Sequence, residues 1–453
     1  NPFVQELHFP HIHHIPIVID RVLPVTPACP IPVGLGDTLY LSNLDDMIGA
    51  RVFTPTVFFY PKHQLGLDPR PIMRKALAAV LVPYYPFSGR LRETKNGKLQ
   101  VFFGHDQGAL MVEAHSNMSL SDLGDLTVPN PAWGPLVYKF ADEGPYKVTD
   151  MPLVIAQVTL FQCGGFCLGL RTCHCISDGL GAMQFLNAWA STARAGKLVI
   201  HPIPCWDREK FKPDGLPKVR YPHTEFMNIE EGSNLTMNLW QTKPVQKCYR
   251  VSREFQAHIK QLGQESEKIA ISTFDAMAAH VWRCWVKALE VEPAEFELRL
   301  TFSVNARQKM KQRPLGDGFY GNALCIACAT STISELSDGL LSDIASRVHE
   351  SRQLITEEYV QSTIDYIELK RPTRLEFGGK LTITQWTRFS MYESTNFGWG
   401  RAIYAGPIDL TPTPQICVFL PEGEPGSTGN MLLFICLPQW ATLRFARLLS
   451  LLE

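Results

Sequence analysis

Phe166-Cys167-Leu168-Gly169-Leu170-Arg171-Thr172-Cys173-His174-Cys175-Ile176-Ser177-Asp178-Gly179 runs from an apolar, β-rich stretch into a turn, and a helical pattern follows from Leu180 to about Arg194. A second β-rich run, Pro152 to Gln162, precedes it, and Gly164-Gly165 between the two has the composition of a tight hairpin turn. Both strands are expected to be largely buried, because their apolar residues run continuously instead of alternating. His174 and Asp178 therefore stand at a strand-to-helix junction.

Working outward, apolar residues at Ile72, Ala76, Ala79 and Val80 predict a helix from Pro71 to Leu81, stopped by Pro83. Tyr84 to Leu91 reads as a turn entering a strand. Residues 202–245 are rich in Pro, Lys, Asp and Glu with weak periodicity, the mark of a crossover between halves. Beyond it, Ser272-Thr273 caps a helix reaching Leu289, with Asp275 near its positive end. Strands are expected at Glu297 to Val304, Lys380 to Trp386, Gln415 to Leu420 and Met431 to Leu437, with a polar surface loop from Glu422 to Asn430 and a terminal helix. Strands and helices mix without strict alternation, which favours an α+β class with mixed sheets. The chain has 453 residues, and chains beyond about 250–300 residues divide into domains. The division expected is an N-terminal domain at 1–205, a linker at 206–245 and a C-terminal domain at 246–453, with a segment around 370–400 exchanged into the N-terminal domain.

A formal net charge of −1 leaves no basic field to gather phosphate backbones, so nucleic acid is not an expected partner. No segment reaches the roughly 18 consecutive apolar residues of a membrane span. The N-terminus, Asn1-Pro2-Phe3-Val4, lacks the order of a secretory signal, and twelve thinly spread cysteines read as reduced thiols. Cys163, Cys167, Cys173, Cys325 and Cys328 are expected to be buried. A cytoplasmic location follows, which makes chance of the N-x-S/T triplets at Asn117 and Asn234.

Neutral imidazole is the side chain whose ordinary pKa lies nearest working pH, so His174 is the candidate general base. Asp178 has a structural role first, as a brace for the loop. The same two residues could be a hydrogen-bonded core histidine and a helix cap, since so short a pattern recurs by chance. Asn396-Phe397-Gly398-Trp399-Gly400 alternates glycine with aromatics, which suits an anchored loop and no proton transfer. Metal binding by Cys163, Cys167, Cys173, His174 and Cys175, or by His8, His11, His13 and His14, is disfavoured. Neither group has two well-spaced C-x-x-C pairs, and alternate strand residues face opposite ways.

Taken together, His174 to Gly179 and Asn396 to Gly400 resemble the paired signatures of the BAHD acyltransferases of plants. Tyr85 to Arg90, Ser272 to Asp275, Trp282-Arg283, Val304 to Arg307 and Gly318 to Asn322 add to the likeness in family order. The resemblance implies two chloramphenicol-acetyltransferase-like domains with a solvent channel between them, acyl-CoA as co-substrate, no metal, and His174 as catalytic base. It also implies Asp178 and Gly179 as loop-structuring residues, and Asn396, Phe397, Gly398, Trp399, Gly400 and Arg307 as channel-structuring ones. Thr384 and Trp386 are the implied oxyanion and acyl-pocket candidates. The family usually has Asp where Asn396 stands, so Asn396 is expected to face Arg307 through a charged-to-neutral hydrogen bond. Ser272 and Thr273 are CoA-binding candidates, because a helix N-terminus offers free N–H groups to a phosphate.

Gly124 to Pro129, Gln162 to Phe166 and Arg388 look most like the branch of hydroxycinnamoyl and benzoyl transferases. An aromatic acyl-CoA donor and an alcohol acceptor giving an ester are expected, with amide formation on an amine as the alternative. A catalytically inactive CoA-binding scaffold is the non-enzyme alternative, and the presence of His174 argues against it. The protein is expected to be monomeric.

Overall fold

The structure is a computed structural model, and it describes residues 2–452 except 13, 145–146, 230–231, 265–268, 376, 411–414 and 424–428. The described residues form two large mixed sheets and one small one. One large sheet has six strands in the order Tyr404–Pro407, Phe53–Tyr60, Phe166–Cys173, Val154–Leu160, Ala109–His115, Val18–Val25. The other has seven, in the order Val4–Leu7, Pro244–Val251, Met431–Pro438, Ile416–Pro421, Lys380–Gln385, Glu297–Asn305, Leu324–Thr332.

Strand Phe166–Cys173 lies in the interior of the six-stranded sheet, antiparallel to both neighbours, and every one of its residues is buried. That is the physical reason for its unbroken apolar run. Helices Pro69–Val80 and Gly179–Ala195 cover one face of the sheet, where Met73, Leu77, Phe185 and Trp189 join a core with Phe58, Tyr60, Leu168 and Leu170. Ile15, Leu123, Trp133 and Leu136 close the other face against Val57 and Phe59. In the seven-stranded sheet, helix Thr273–Ala288 lies at the centre of a core that also holds residues of Arg253–Gln264, Leu341–Gln353 and Thr442–Leu449.

The two sheets exchange edges. Val4–Leu7, from the start of the chain, pairs with Pro244–Val251 in the seven-stranded sheet. Tyr404–Pro407, from the second half, pairs with Phe53–Tyr60 in the six-stranded one. The boundaries expected at 1–205 and 246–453 differ from this arrangement at both ends. The crossing segment also sits later than 370–400: Lys380–Gln385 stays inside the seven-stranded sheet, parallel to both neighbours, whereas Met391, Tyr392, Phe397, Trp399, Ala402 and Ala405 join the N-terminal core. Residues 206–245 are more than a linker, since helix Leu235–Trp240 lies within them and Phe211, Leu235 and Leu239 are buried in the C-terminal core.

Cys167, Cys173 and Cys325 are buried, but Cys163 is exposed beside the hairpin turn and Cys328 is only partly covered. A thiol next to Gly164-Gly165 has turn geometry around it and no core to enter. His13 and part of the polar loop expected at Glu422 to Asn430 lie outside the described residues.

Candidate active site

His174 follows the last residue of strand Phe166–Cys173, and its N–H donates to the Val52 carbonyl at 2.9 Å, which continues the strand ladder by one residue. Its neighbours Cys173 and Cys175 are fully buried, while His174 is only half-buried. Nδ1 is buried without a partner among the described residues. The ring therefore leaves Nε2 as its accessible nitrogen. The backbone is held from the second half of the chain, where the Asn322 side-chain amide donates to the His174 carbonyl at 2.6 Å.

Asp178 points away from the imidazole. It caps helix Gly179–Ala195, accepting from the Gly181 N–H at 2.9 Å. Arg307 grips it through two bonds, at 2.8 Å to Oδ1 and 2.9 Å to Oδ2, and the Ala323 N–H reaches Oδ2 at 3.1 Å. The carboxylate is 1% exposed and both its oxygens are engaged. Gly181 has a separate steric reason, because a Cβ there would lie 1.9 Å from the Tyr320 carbonyl oxygen. The start of this helix thus meets the 318–323 loop backbone to backbone.

The Arg307 guanidinium belongs to Asp178, and this corrects the expectation that Asn396 would face it. The Asn396 carboxamide turns back on its own loop, accepting from the N–H groups of Gly398 at 2.9 Å and Gly400 at 3.1 Å. A neutral amide oxygen serves this purpose as a carboxylate would, so Asn in place of Asp leaves no unpaired arginine. Gly398 and Gly400 have φ of 118° and 84° with open space beside them, so glycine is required there by backbone shape.

That loop is also remote from His174. Phe397 packs on Tyr60 and Trp189, and Trp399 on Phe166 and His63. Phe166 begins the strand and His174 follows its last residue, roughly 26 Å away at about 3.3 Å per residue. Arg194, at the far end of the helix that Asp178 caps, donates to the Asn396 carbonyl. Phe397 and Trp399 anchor the C-terminal segment to the N-terminal core, away from His174.

Thr384 and Trp386 stand at the end of strand Lys380–Gln385, whose Thr382 is tied to Thr301 at 2.8 Å. The Trp386 backbone N–H donates to the Phe419 carbonyl at 2.8 Å, and the Trp386 ring lies 6.0 Å from that of Phe389. Phe389 in turn covers Gly179, where a Cβ would come within 2.4 Å of its ring. The chain Trp386, Phe389, Gly179 brings this segment to the loop of His174. Among the described residues the Thr384 hydroxyl has no hydrogen-bond partner.

Ser272 and Thr273 begin helix Thr273–Ala288 in a reciprocal cap. The Ser272 hydroxyl accepts from the Asp275 N–H and the Asp275 carboxylate accepts from the Ser272 N–H, both at 3.0 Å. Asp275 is fully buried and pairs with Arg352 and with His349. The chain itself thus supplies a negative charge at this helix end, through the Asp275 carboxylate. Two clefts, of about 210 Å³ and 110 Å³, are lined by 228–229, 233, 236, 296, 378–379 and by 222–225, 327–328, 351, 354–355, 359; His174 touches neither.

The profile of the Transferase family matches residues 17–447 of this chain. The chain belongs to that family, the BAHD acyltransferases. It is 34% identical over 400 residues to omega-hydroxypalmitate O-feruloyl transferase of Arabidopsis thaliana, covering 87% of this chain and 85% of that one. Piperamide synthase of Piper nigrum is 32% identical, with coverage of 92% and 90%. Among solved structures, vinorine synthase superimposes with a TM-score of 0.72 at 21% identity, covering 96% of this chain and 98% of that one, which shows a shared fold. This BAHD protein is thus an acyl-CoA-dependent acyltransferase, with acyl-CoA as co-substrate.

Reading the sequence of this acyltransferase missed Asp45, Arg208 and Phe389. Asp45 and Arg208 form a fully buried ion pair at 2.7 Å beside the His174 loop. Each sits among other charges, Asp46 beside Asp45 and Asp207, Glu209 and Lys210 around Arg208, and no spacing links the two. Among the described residues no group of His, Cys, Asp and Glu is placed to hold a metal ion, and no helix is long and apolar enough to cross a membrane.

Proposed function

We propose that this protein transfers an aromatic, hydroxycinnamoyl-type acyl group from acyl-CoA to an alcohol, with His174 as general base and an ester as product. The observation that carries the reading is the accessible Nε2 of a histidine whose backbone is pinned at a strand-to-helix junction, next to an aspartate fully engaged elsewhere. Nε2 takes the proton of the acceptor hydroxyl as its oxygen attacks the thioester carbonyl. The tetrahedral oxyanion collapses, and CoA leaves as the thiol after the imidazolium returns the proton. The Thr384 hydroxyl and the Trp386 indole are the proposed stabilisers of that oxyanion. Substrates would meet at His174 through a channel between the two sheets. We place the protein in the cytoplasm as a monomer, consistent with twelve free cysteines.

The likeness to piperamide synthase favours a second reading, amide formation on an amine by the same proton transfer. A matrix of acyl-CoA donors against alcohols and amines, read by product mass, decides between ester and amide. In the same assay His174→Ala is expected to lose on the order of 10²- to 10⁴-fold in rate while still binding CoA. An unchanged rate would remove His174 from the chemistry, and CoA binding without turnover on any donor would favour the inactive scaffold.

A further inference from the structure

Asp45 and Arg208 are charged, fully buried, and drawn from stretches that the reaction scheme does not use. Removing a carboxylate and a guanidinium from water costs several kcal/mol per ion before pairing, so such a pair in a core calls for a reason beyond stability. Their remaining contacts suggest one.

Arg208 forms its ion pair with Asp45 Oδ2 through one terminal nitrogen. Its other terminal nitrogen donates to the Ile176 carbonyl at 2.7 Å, and Nε donates to the Trp206 carbonyl at 3.1 Å. The guanidinium lies 3.8 Å over the Trp206 ring, and Gly321 leaves it room, since a Cβ there would lie 2.6 Å from Cζ. On the other side of Asp45, Oδ1 accepts from both the backbone N–H and the side-chain amide of Asn322, each at 3.0 Å. That same amide donates to the His174 carbonyl at 2.6 Å. The Ser42 N–H holds Oδ2 at 3.0 Å and so fixes the carboxylate itself.

We propose that Asp45 is the hub of a positioning device for the reaction: through Arg208 and Asn322 it fixes the carbonyls of Ile176 and His174, and thereby the direction of the imidazole. The inference rests on the reading of His174 as base. One carboxylate accepts from Asn322 and pairs in charge with Arg208, and each of these partners grips one peptide of the loop that carries the base. The charge of Asp45 matters because it attracts the Arg208 guanidinium and offers Asn322 a charge-assisted acceptor, which holds its donor in a narrower geometry than a neutral one. The donors arrive from two parts of the chain, the 206–211 crossover and the 318–323 loop, so the base is aimed only when both are docked.

Asn322 is the member that can be altered without exposing a buried charge. Its variant is measured in two backgrounds, wild type and His174→Ala, with circular dichroism and CoA binding to count folded enzyme. Asn322→Ala is expected to lower kcat per folded molecule by roughly 10- to 100-fold, the scale of misplacing a catalytic group by about 1 Å. The CoA dissociation constant should stay within about threefold. In the His174→Ala background the same change should cost less than about twofold, because no base remains to be misaimed.

Equal losses in both backgrounds, or a kcat within threefold of wild type, would overturn the positioning role. Full activity in His174→Ala alone would instead overturn the base reading, and this inference with it. Should Asn322→Ala fail to fold, the isosteric Asn322→Asp is measured in its place. That variant sets a second carboxylate against Asp45, so Asn322→Ser, which keeps one neutral donor too short to span Asp45 and the His174 carbonyl, is measured beside it, and a loss in the wild-type background only is expected.

Discussion

Asp178 shows how a residue in a catalytic signature can act without touching the chemistry. Its carboxylate caps a helix, holds the Ala323 N–H and pairs with Arg307 through both oxygens. Asp178→Ala is expected to destabilise the protein by about 3–5 kcal/mol, because it strands a partly buried guanidinium and removes a cap. Denaturant unfolding measures this. Activity per folded molecule should fall less than in His174→Ala, and an equal fall would restore Asp178 to the chemistry.

A second residue sets a pH dependence. His280 is buried in helix Thr273–Ala288 with Nε2 at 2.9 Å from the Leu449 carbonyl, and burial pushes its imidazole down to about 4. The unfolded chain binds this proton near the ordinary histidine value while the folded chain resists it. The stabilisation is therefore complete above about 6.5 and is lost as pH falls through 6.5 toward 4, with a limit of about 3 kcal/mol. Unfolding free energies from pH 7 to 4.5 should drop less steeply in His280→Gln than in wild type. Parallel curves would exclude this origin.

At the scale of elements, glycines in the two signature regions answer different demands. Gly181 lies where the helix after His174 meets the Tyr320 carbonyl, so Gly181→Ala must push the helix from the 318–323 loop. We expect a cost of about 1–3 kcal/mol or more together with lost kcat, since that loop carries Asn322. Gly398→Ala meets open space and only a positive φ, so about 1–2 kcal/mol should be lost with kcat per folded molecule unchanged. Thermal unfolding and steady-state kinetics on the pair separate the two cases.

The elements themselves were legible. The hairpin around Gly164-Gly165, helix Pro69–Val80 and the cap at Ser272 came within a few residues of their observed bounds, because period and capping act over one or two turns. The cap's consequence was not legible, since only the fold shows that Asp275 fills the helix end and pairs with Arg352.

Across the whole molecule, the two halves are joined by exchanged edge strands and by the aromatic loop at Phe397 and Trp399. These two rings are buried against Tyr60, Trp189 and Phe166 at the far end of the six-stranded sheet from His174. Trp399→Ala is expected to cost about 3–5 kcal/mol through the cavity it leaves. It should also free residues 389–407 for limited proteolysis before either core unfolds. Digestion patterns unchanged from wild type would show that the edge strand alone holds the segment.

By itself the sequence determined the family, the α+β class, the strand and helix around His174 and the loop character of Asn396 to Gly400. Each of these depends on residues close in the chain or on several short blocks in a fixed order. Tertiary structure decided which charge Arg307 meets, that the glycine-aromatic loop lies far from His174, and that Asp45, Arg208 and Asn322 converge on its backbone. Partners of that kind are chosen by desolvation. A buried charge takes whichever opposite charge or carbonyl the packing leaves within reach, and no local pattern records that choice.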